Sequence, residues 1–390
     1  MSARNPAARA RVFTVRQSTR VSVAYQIPER TALVLGGGGL KGFAHIGVLQ
    51  AFEERGIRPA LFAGTSIGSL IASAYLGGLP LDTMADRARA LRRRDLFRIN
   101  HMGMLLERMR SPSLYLEEPL RELCVNNCPP GTFEDLPQTL LVNTVDLERG
   151  TQVVWGLPGL RDVPVIDAVY ASCALPGAFP PGRVDGRVCV DGGTIDNLPV
   201  SVAGVDMDAI IAVDVGSSEL SHETEITSQG FAAMYMRAAT IMMHALQVRP
   251  LETWTGQPML LIRPKVGHRS WFSFHDFDEV IQAGYVAACT ALDQIGDSLF
   301  SSGGIYPRRR VDVSVDRTKC IACGLCVALA PRLMARDASG KAYATCSPVE
   351  WSPADGDFVH QCPTSAILVR PERRKTKRSS GEKRLQKATE

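Results

Sequence analysis

A chain of 390 residues with 45% hydrophobic and 22% charged residues has enough apolar material for one large and one small domain, and lacks the compositional bias of fibrous or disordered proteins. Its net charge of +4 comes from the two ends. The first 20 residues contain five arginines and no acid, and the last 20 contain eight lysines or arginines against three glutamates. The acidic body between them argues against nucleic acid as a partner.

The two ends carry no recognisable membrane or export signal. The N-terminal segment 1–30 has no apolar stretch of the secretory kind, and no run in the chain approaches the roughly 20 apolar residues of a spanning helix. We therefore expect a cytoplasmic protein, although an Arg-rich, acid-free start also fits a mitochondrial presequence. We expect the basic tail 371–390 to be disordered. Peripheral contact of this tail with anionic membrane is the alternative.

The first elements alternate strands with helices. The apolar run Thr31–Leu35 breaks into four glycines, and a helical pattern then extends over Gly42–Arg55. A second short strand, Ala60–Ala63, is followed by a glycine-flanked serine and a small-residue helix to about Leu76. This order predicts an α/β fold with a doubly wound, mostly parallel sheet and helices on both faces. The later predicted strands are Thr139–Val145, Val153–Trp155, Val188–Val190, Ile210–Val213 and Met259–Ile262, and the later predicted helices are Leu81–Leu96, Val165–Cys173, Phe231–Val248 and Asp278–Leu292.

Two glycine-rich loops follow the first two strands. Gly64-Thr-Ser-Ile-Gly68 fits the G-x-S-x-G nucleophile elbow, in which a sharp strand-to-helix turn projects the hydroxyl of Ser66 clear of the sheet. The loop Gly36-Gly-Gly-Gly-Leu-Lys-Gly42 could be a dinucleotide fingerprint, but no acidic residue occupies the region 58–68 where that motif requires one. Donation of backbone N–H groups to an oxyanion is the better role for this loop.

A carboxylate that could serve as a base follows a later strand. Asp191-Gly-Gly193 comes after the run Arg187–Val190, at a strand end where open α/β sheets keep their sites. Four segments together closely resemble the patatin-like phospholipase family: GGGLKG at 37–42, GTSIG at 64–68, ASCALPGAFPP at 171–181 and DGGTIDNLPV at 191–200. The four motifs occur in the family's order across about residues 31–215.

The resemblance implies a serine–aspartate dyad without histidine, with Ser66 as nucleophile and Asp191 as general base. It also implies an oxyanion hole formed by the amides of Gly37, Gly38 and Gly39. Lys41 and Gly42 would support this loop. Two alternatives remain at this point. Asp191 between glycines could be a turn former, and His45 could complete a Ser-His-Asp triad. An acyl chain would need an apolar groove, for which 101–106 and 231–243 are candidates, although a methionine stripe at helical spacing is more often plain core.

The cysteines indicate a different chemistry near the C-terminus. Five of the ten stand in the last quarter: Cys320, Cys323, Cys326, Cys346 and Cys362. The first three form C-x₂-C-x₂-C, and Cys362-Pro363 lies 36 residues on. Such clustering in a chain without an export signal favours metal ligation over disulfides.

This unit, about residues 311–370, resembles a bacterial ferredoxin domain, in which three thiolates of one loop and a distant Cys-Pro hold a cluster. A two-cluster ferredoxin would carry a further cysteine where Ala330 stands, before Pro331. We therefore predict one [4Fe-4S] cluster held by Cys320, Cys323, Cys326 and Cys362. Cys346 is predicted to be a non-ligand, and structural zinc is the rival ion.

The resulting organisation has five parts: an N-terminal basic segment (1–30), a patatin-like acyl hydrolase domain (31–300), a linker (301–310), a ferredoxin-type [4Fe-4S] domain (311–370) and a basic tail (371–390). The expected function is hydrolysis of a lipid or acyl ester, of phospholipase A or carboxyl esterase type. The cluster would have a structural, sensing or electron-transfer role and could require a redox partner. The alternative is a redox-regulatory or electron-transfer protein whose patatin-like domain is a lipid-binding module.

Overall fold

The computed structural model describes residues 27–101, 113–216, 230–252, 254, 257–266, 269–295, 309–351, 358–359 and 362–371. The predicted N-terminal segment, linker and tail therefore lie almost wholly outside the described residues, as does the candidate groove segment from residue 102 to 106.

The N-terminal part is built on one sheet of eight strands: β1 (Thr31–Leu35), β2 (Leu61–Thr65), β3 (Thr139–Asp146), β4 (Thr151–Trp155), β5 (Gly182–Val184), β6 (Arg187–Asp191), β7 (Ala209–Val213) and β8 (Met259–Ile262). Strands β3, β2, β1, β7 and β8 are neighbours in that order and run parallel. Antiparallel pairing joins β4 and β6 to β3, and β5 to β6. The predicted mostly parallel α/β sheet is confirmed.

The helices of this part are α1 (Ala44–Glu54), α2 (Ile67–Leu76), α3 (Leu81–Ala90), α4 (Glu117–Asn127), α5 (Val165–Cys173), α6 (Val200–Ala203), α7 (Phe231–Glu252) and α8 (Phe277–Asp293). Strand β1 shows why the sheet needs cover on both faces. Leu33 and Leu35 belong to one hydrophobic core, and the alternate residues Ala32 and Val34 belong to a second core on the opposite face.

One predicted helix was too long. The apolar spacing over Leu81–Leu96 predicted a single helix, but α3 ends at Ala90, and Leu91 adopts an extended conformation (φ −62°, ψ 130°). A short 3₁₀ turn, Arg93–Asp95, follows, and the side chain of Asp95 accepts a hydrogen bond from the Arg92 amide. Leu91 and Leu96 are both buried, so their spacing imitated a continuous helix face.

The C-terminal part contains small elements: β9 (Arg309–Val315), α9 (Leu325–Leu329), β10 (Met334–Arg336), β11 (Ala342–Ala344), β12 (Val349–Trp351) and β13 (Ile367–Pro371). Strand β9 lies between β12 and β13 in an antiparallel sheet, and β10 pairs with β11. Its small core includes Val313, Cys326, Met334 and Ile367. This is the small α+β domain predicted from the sequence.

Candidate active site

Strand β3 brings the two predicted dyad residues together. Its residue Asn143 pairs with Thr65 at the end of β2, and the next residue, Thr144, pairs with Asp191 at the end of β6. Ser66 directly follows Thr65, so consecutive residues of one strand fix the positions of the serine and the carboxylate. Two residues far apart in sequence are thereby held side by side by backbone hydrogen bonds.

Ser66 occupies the sharp turn expected of a nucleophile elbow. Its backbone has φ 54° and ψ −128°, between the end of β2 and the start of α2. A positive φ is costly for a residue with a side chain, and such strain persists where the surrounding structure enforces it. The enforcement comes from close packing: a Cβ on Gly64 would lie 2.5 Å from the Ser69 amide nitrogen. The flanking glycines of the motif are therefore required by space.

The C-terminal end of α5 and the residue that follows it hold both dyad residues in place. The hydroxyl of Ser172 accepts a hydrogen bond from the Ser66 amide at 2.8 Å and donates one to the carbonyl of Asn143 at 2.7 Å. Two residues further on, the carbonyl of Ala174 accepts from the Asp191 amide at 3.0 Å. The ASCALPG stretch thus connects the two strand ends that carry the site.

Asp191 is buried, and its Oδ1 accepts a hydrogen bond from the Gly193 amide at 2.8 Å. Burial raises the pKa of Asp191 to about 6, even though the nearby Ser66 hydroxyl and the Gly193 amide favour the charged form and lower it. The raised pKa makes the carboxylate a stronger base than an exposed aspartate.

The buried charge of Asp191 lowers the stability of the fold at neutral pH. The native carboxyl, with a pKa near 6, retains its proton over a range in which an unfolded aspartate, near 4, has lost it. Below about pH 4 this group therefore does not lower the free energy of unfolding. As the pH rises from about 4 to 6, its burial lowers that free energy progressively. Asp191→Asn is expected to raise the free energy of unfolding at pH 8 by about 3 kcal/mol relative to wild type, since two pH units correspond to that amount. Thermal denaturation at pH 4 and 8 measures this.

The control for this experiment is Asp185→Asn, an exposed residue in the turn between β5 and β6 whose φ of 46° asparagine tolerates well. This control should leave the unfolding free energy within about 0.5 kcal/mol of wild type at both pH values. An Asp191→Asn protein that is no more stable than wild type at pH 8 would contradict the assigned burial cost.

The three predicted oxyanion donors differ in their availability. The Gly37 amide already donates to the carbonyl of Asn197 at 3.1 Å. Within the described ranges, no acceptor is recorded for the amides of Gly38 and Gly39, and both residues line the pocket that contains Ser66. Of the three amides predicted to donate to an oxyanion, those of Gly38 and Gly39 therefore have no recorded acceptor in the described ranges. The Gly37 amide instead anchors the loop to Asn197.

Lys41 and His45 anchor the glycine loop (residues 36–42) through hydrogen bonds to backbone carbonyls. The Lys41 ammonium donates to the carbonyl of Gly216 at 3.2 Å, and burial lowers its pKa to about 8, although nearby Asp214 raises it. His45 is fully buried on α1, and its Nε2 lies 2.8 Å from the Gly36 carbonyl. Burial lowers the pKa of His45 to about 4. A neutral His45 that donates to Gly36 anchors the loop.

Gly42 has a packing role. A Cβ at this position would overlap the side chain of Ile67, the first residue of α2. Gly42 therefore allows the 3₁₀ turn Gly39–Phe43 to lie against the start of that helix.

Asn197 is a pocket residue whose only mark in the sequence is its place in the DGGTIDNLPV motif. Its Nδ2 donates to the carbonyl of Gly37 at 3.0 Å and to Oε1 of Gln247 at 3.1 Å. Its side chain also lines the pocket beside Ser66. The contacts of Asn197 join three segments remote in sequence, and the DNLPV motif was the only local signal.

Ser66 and Asp191 both line an apolar pocket. Its apolar walls come from six different parts of the fold: Leu40 and Phe43, Leu70, Leu96, Leu120 and Leu123, Leu175 and Phe179, and Trp271 and Phe272. Of the two groove segments considered from sequence, 231–243 contributes Met243. Such a pocket suits a hydrocarbon chain, since most of its lining side chains are apolar.

The four predicted cluster ligands surround a second pocket. Cys320, Cys323, Cys326 and Cys362 all line a space of about 340 Å³ in the C-terminal part. The turns between the first three thiols need positive φ at Ala322 (61°) and Gly324 (78°). Cys346 is exposed and is not among the residues that line this space.

The four thiols and the amides around Cys362 suit the ligand set of an iron–sulfur cluster. Within the described residues, no three Cys, His, Asp or Glu side chains converge closely enough to ligate a single metal ion. Four thiols around a wider space match ligands that each bind a different corner of a cluster. Burial raises the pKa of Cys362, but the amides of Ala366, Thr364 and Ile367 outweigh it and lower the value overall. N–H donors of this kind stabilise thiolate sulfur.

The comparisons agree with this geometry. The family model for patatin-like phospholipases matches residues 33–203, which contain Ser66 and Asp191. These residues are identified as a patatin-like domain. The model for a 4Fe-4S single cluster domain matches residues 313–369, which contain the four cysteines.

Similar proteins occur in bacteria, mammals and fungi. An uncharacterised NTE family protein of Mycobacterium tuberculosis is 36% identical over 191 residues, covering 49% of this chain and 50% of the relative. Human patatin-like phospholipase domain-containing protein 6 is 33% identical over 51% of this chain and 14% of the relative. Lysophospholipase nte1 of Aspergillus fumigatus is 27% identical over 67% of this chain and 18% of the relative. The alignments therefore span half or less of these relatives.

Proposed function

We propose that the protein is a serine-dependent lipid acyl hydrolase that uses the Ser66–Asp191 dyad. The observation that carries the proposal is a buried carboxylate, with a pKa near 6, next to a strained serine, both lining one apolar pocket. The match to patatin-like phospholipases and the name of the fungal lysophospholipase support a lipid ester as substrate.

In the proposed reaction, Ser66 Oγ attacks the ester carbonyl while Asp191 takes the hydroxyl proton. The negative charge that develops on the carbonyl oxygen is stabilised by the Gly38 and Gly39 amides, each contributing about 3 kcal/mol to the transition state. The position of Ser66 at the N-terminus of α2 adds a favourable dipole. Asp191 then returns the proton to the leaving alcohol, and later activates the water that releases the fatty acid.

The pocket gives this reaction its substrate class. Its apolar walls would hold the acyl chain and exclude water from the dyad, which strengthens the oxyanion hydrogen bonds. Phospholipids, lysophospholipids and simple long-chain acyl esters should be assayed side by side. Release of fatty acid from none of the three classes by the holoprotein would overturn the proposal.

The pH dependence of this reaction follows from Asp191. Because the base must be ionised, kcat/KM is expected to rise tenfold per pH unit below about 6 and to level off above it. Initial rates with a soluble acyl ester between pH 4 and 9 provide the measurement. A rise that is instead centred near pH 7 or above would point to a different base.

We further propose that the C-terminal unit binds one [4Fe-4S] cluster through Cys320, Cys323, Cys326 and Cys362. The cluster, when bound, supplies reversible one-electron chemistry. Ester hydrolysis moves no electrons, so we assign the cluster a structural or sensing role in preference to electron transfer to the lipid. We also propose a redox partner and contact of the basic tail with anionic membrane. The structural or sensing role of the cluster requires neither.

A further inference from the structure

Helix α7 exposes apolar side chains on one side. With 100° between successive residues, its exposed side chains fall on one arc: Met234, Tyr235, Ala238, Ile241, Met242, Ala245 and Leu246. These seven residues are uncharged, and Met242 and Leu246 are 57% and 49% exposed. The opposite side contains Met243, His244, Gln247 and Leu251, all buried. A surface helix normally turns its apolar residues inward, so exposed apolar side chains gathered on one arc indicate a partner.

The buried side of α7 forms part of the catalytic pocket. Met243 lines the pocket, and its Cε would meet a Cβ placed on Gly193, beside Asp191. Gln247 accepts the hydrogen bond of Asn197, whose amide group also holds the glycine loop. One side of the helix therefore contacts Gly193 and Asn197 beside the dyad, while the other faces outward with apolar side chains.

The exposed arc continues to the wall of the pocket. The ring of Tyr235 lies 3.7 Å from the position of a Cβ on Gly177. Gly177 belongs to the short loop between Leu175 and Phe179, and both of these residues line the pocket. Exposed apolar surface and acyl pocket are thus separated by a single loop.

We propose that the exposed arc of α7 docks the protein on a phospholipid surface, with the helix lying in the plane of the headgroup boundary. This inference rests on the proposed function, because a lipid surface is the source of an acyl ester that continues into the pocket. A helix whose exposed side chains are apolar can lie in the interface with that side buried in the headgroup boundary. Because the seven exposed side chains are uncharged, docking through them depends on apolar burial and not on anionic headgroups. No helix within the described ranges could cross a bilayer.

Vesicle binding by full-length holoprotein tests the proposal without requiring catalysis. All proteins carry Ser66→Ala, so that vesicles stay intact, and the probe is phosphatidylcholine vesicles, which have no net charge. The test variant is Met242→Gln with Leu246→Gln, since glutamine preserves helix propensity. The matched control is Val125→Gln with Val286→Gln, on α4 and α8, where both valines are similarly exposed (53% and 50%).

Co-sedimentation should show the test variant binding about 10- to 30-fold more weakly than the parent, while the control stays within twofold. Far-UV circular dichroism confirms folding of each protein. As a second variant, Met242→Trp should show a blue-shifted emission when vesicles are added, because the indole enters the headgroup boundary.

Unchanged vesicle binding by the test variant would overturn the docking proposal. It would also be overturned if light scattering showed a dimer for the parent and a monomer for the test variant, because the arc would then bind a second copy of the chain. Ester hydrolysis distinguishes failure of the docking surface from failure of the proposed hydrolase function. With Ser66 restored, the test variant should cleave a soluble short-chain ester at the parental rate. If the parent cleaves no ester but the vesicle result holds, the proposed function fails while the docking surface stands.

Discussion

Replacing Asp191 with asparagine is expected to lower kcat for acyl-ester hydrolysis by a factor of about 10⁴, and Ser66→Ala by at least as much. Asparagine keeps the shape of the side chain and can still accept from the Gly193 amide, but it cannot take the serine proton. The double variant should be no worse than either single variant, because two residues that act as one unit lose their effect together. Steady-state hydrolysis of a chromogenic acyl ester measures all three proteins.

A histidine base is distinguished from this dyad by His45→Gln. Glutamine can still donate a hydrogen bond to the Gly36 carbonyl, so the loop keeps its anchor. We expect this variant to lose less than about tenfold in kcat, whereas a triad would make its loss comparable to that of Asp191→Asn. Asp185→Asn, already described as an exposed control, should retain full activity. A dyad variant that retained the wild-type rate would remove Ser66 or Asp191 from the reaction.

The sheet was predictable because its central strands carry their signal in sequence. β1 and β8 are buried throughout, and they appear as short, continuous apolar runs. Helix α4 was missed because its sequence, EEPLRELCVNN, buries only a few residues and therefore shows little apolar periodicity. Strand β5, with three residues, is too short for any pattern to identify.

The backbone geometry of the two glycine-rich motifs was predictable because each motif is local. The elbow needs small residues next to Ser66, and the glycine loop needs space for close approach, so both requirements appear in adjacent residues. The state of the Gly37 amide could not be foreseen, because its acceptor is the carbonyl of Asn197, 160 residues away. The same holds for the pocket, whose wall includes Leu120 and Leu123 from the helix that was missed.

The orientation of α7 shows a further limit of sequence patterns. Its apolar residues were interpreted as core or acyl groove, since an apolar stripe on a helix normally faces inward. The structure turns Met243 toward the pocket but leaves Met242 and Leu246 exposed. Periodicity locates the apolar stripe on a helix, but the contacts made by the rest of the chain determine which way it faces.

The second large effect is expected from Cys362→Ser, which should reduce bound iron from about four atoms per chain to less than one and remove the visible absorbance of the protein. Cys362 is the ligand supplied from outside the C-x₂-C-x₂-C loop, and the amide of Ala366 donates to its sulfur at 3.3 Å. A serine hydroxyl is a much weaker ligand than thiolate for iron. The matched control is Cys346→Ser, which is expected to keep its iron because that thiol is exposed and does not line the pocket.

Loss of the cluster should also unfold the C-terminal unit, because its core is small. It is built from a few short strands, and Cys326 itself belongs to the core. A unit of roughly 60 residues rarely reaches adequate stability without a metal or a disulfide, so cluster binding and folding are expected to be coupled. Calorimetry of anaerobically purified Cys362→Ser and Cys346→Ser proteins should show a thermal transition missing in the first alone. Colourless wild-type protein that contains zinc and no iron would overturn the cluster assignment. If loss of the cluster and a change in its oxidation state both left stability and ester hydrolysis unaltered, the structural and sensing roles would both fail.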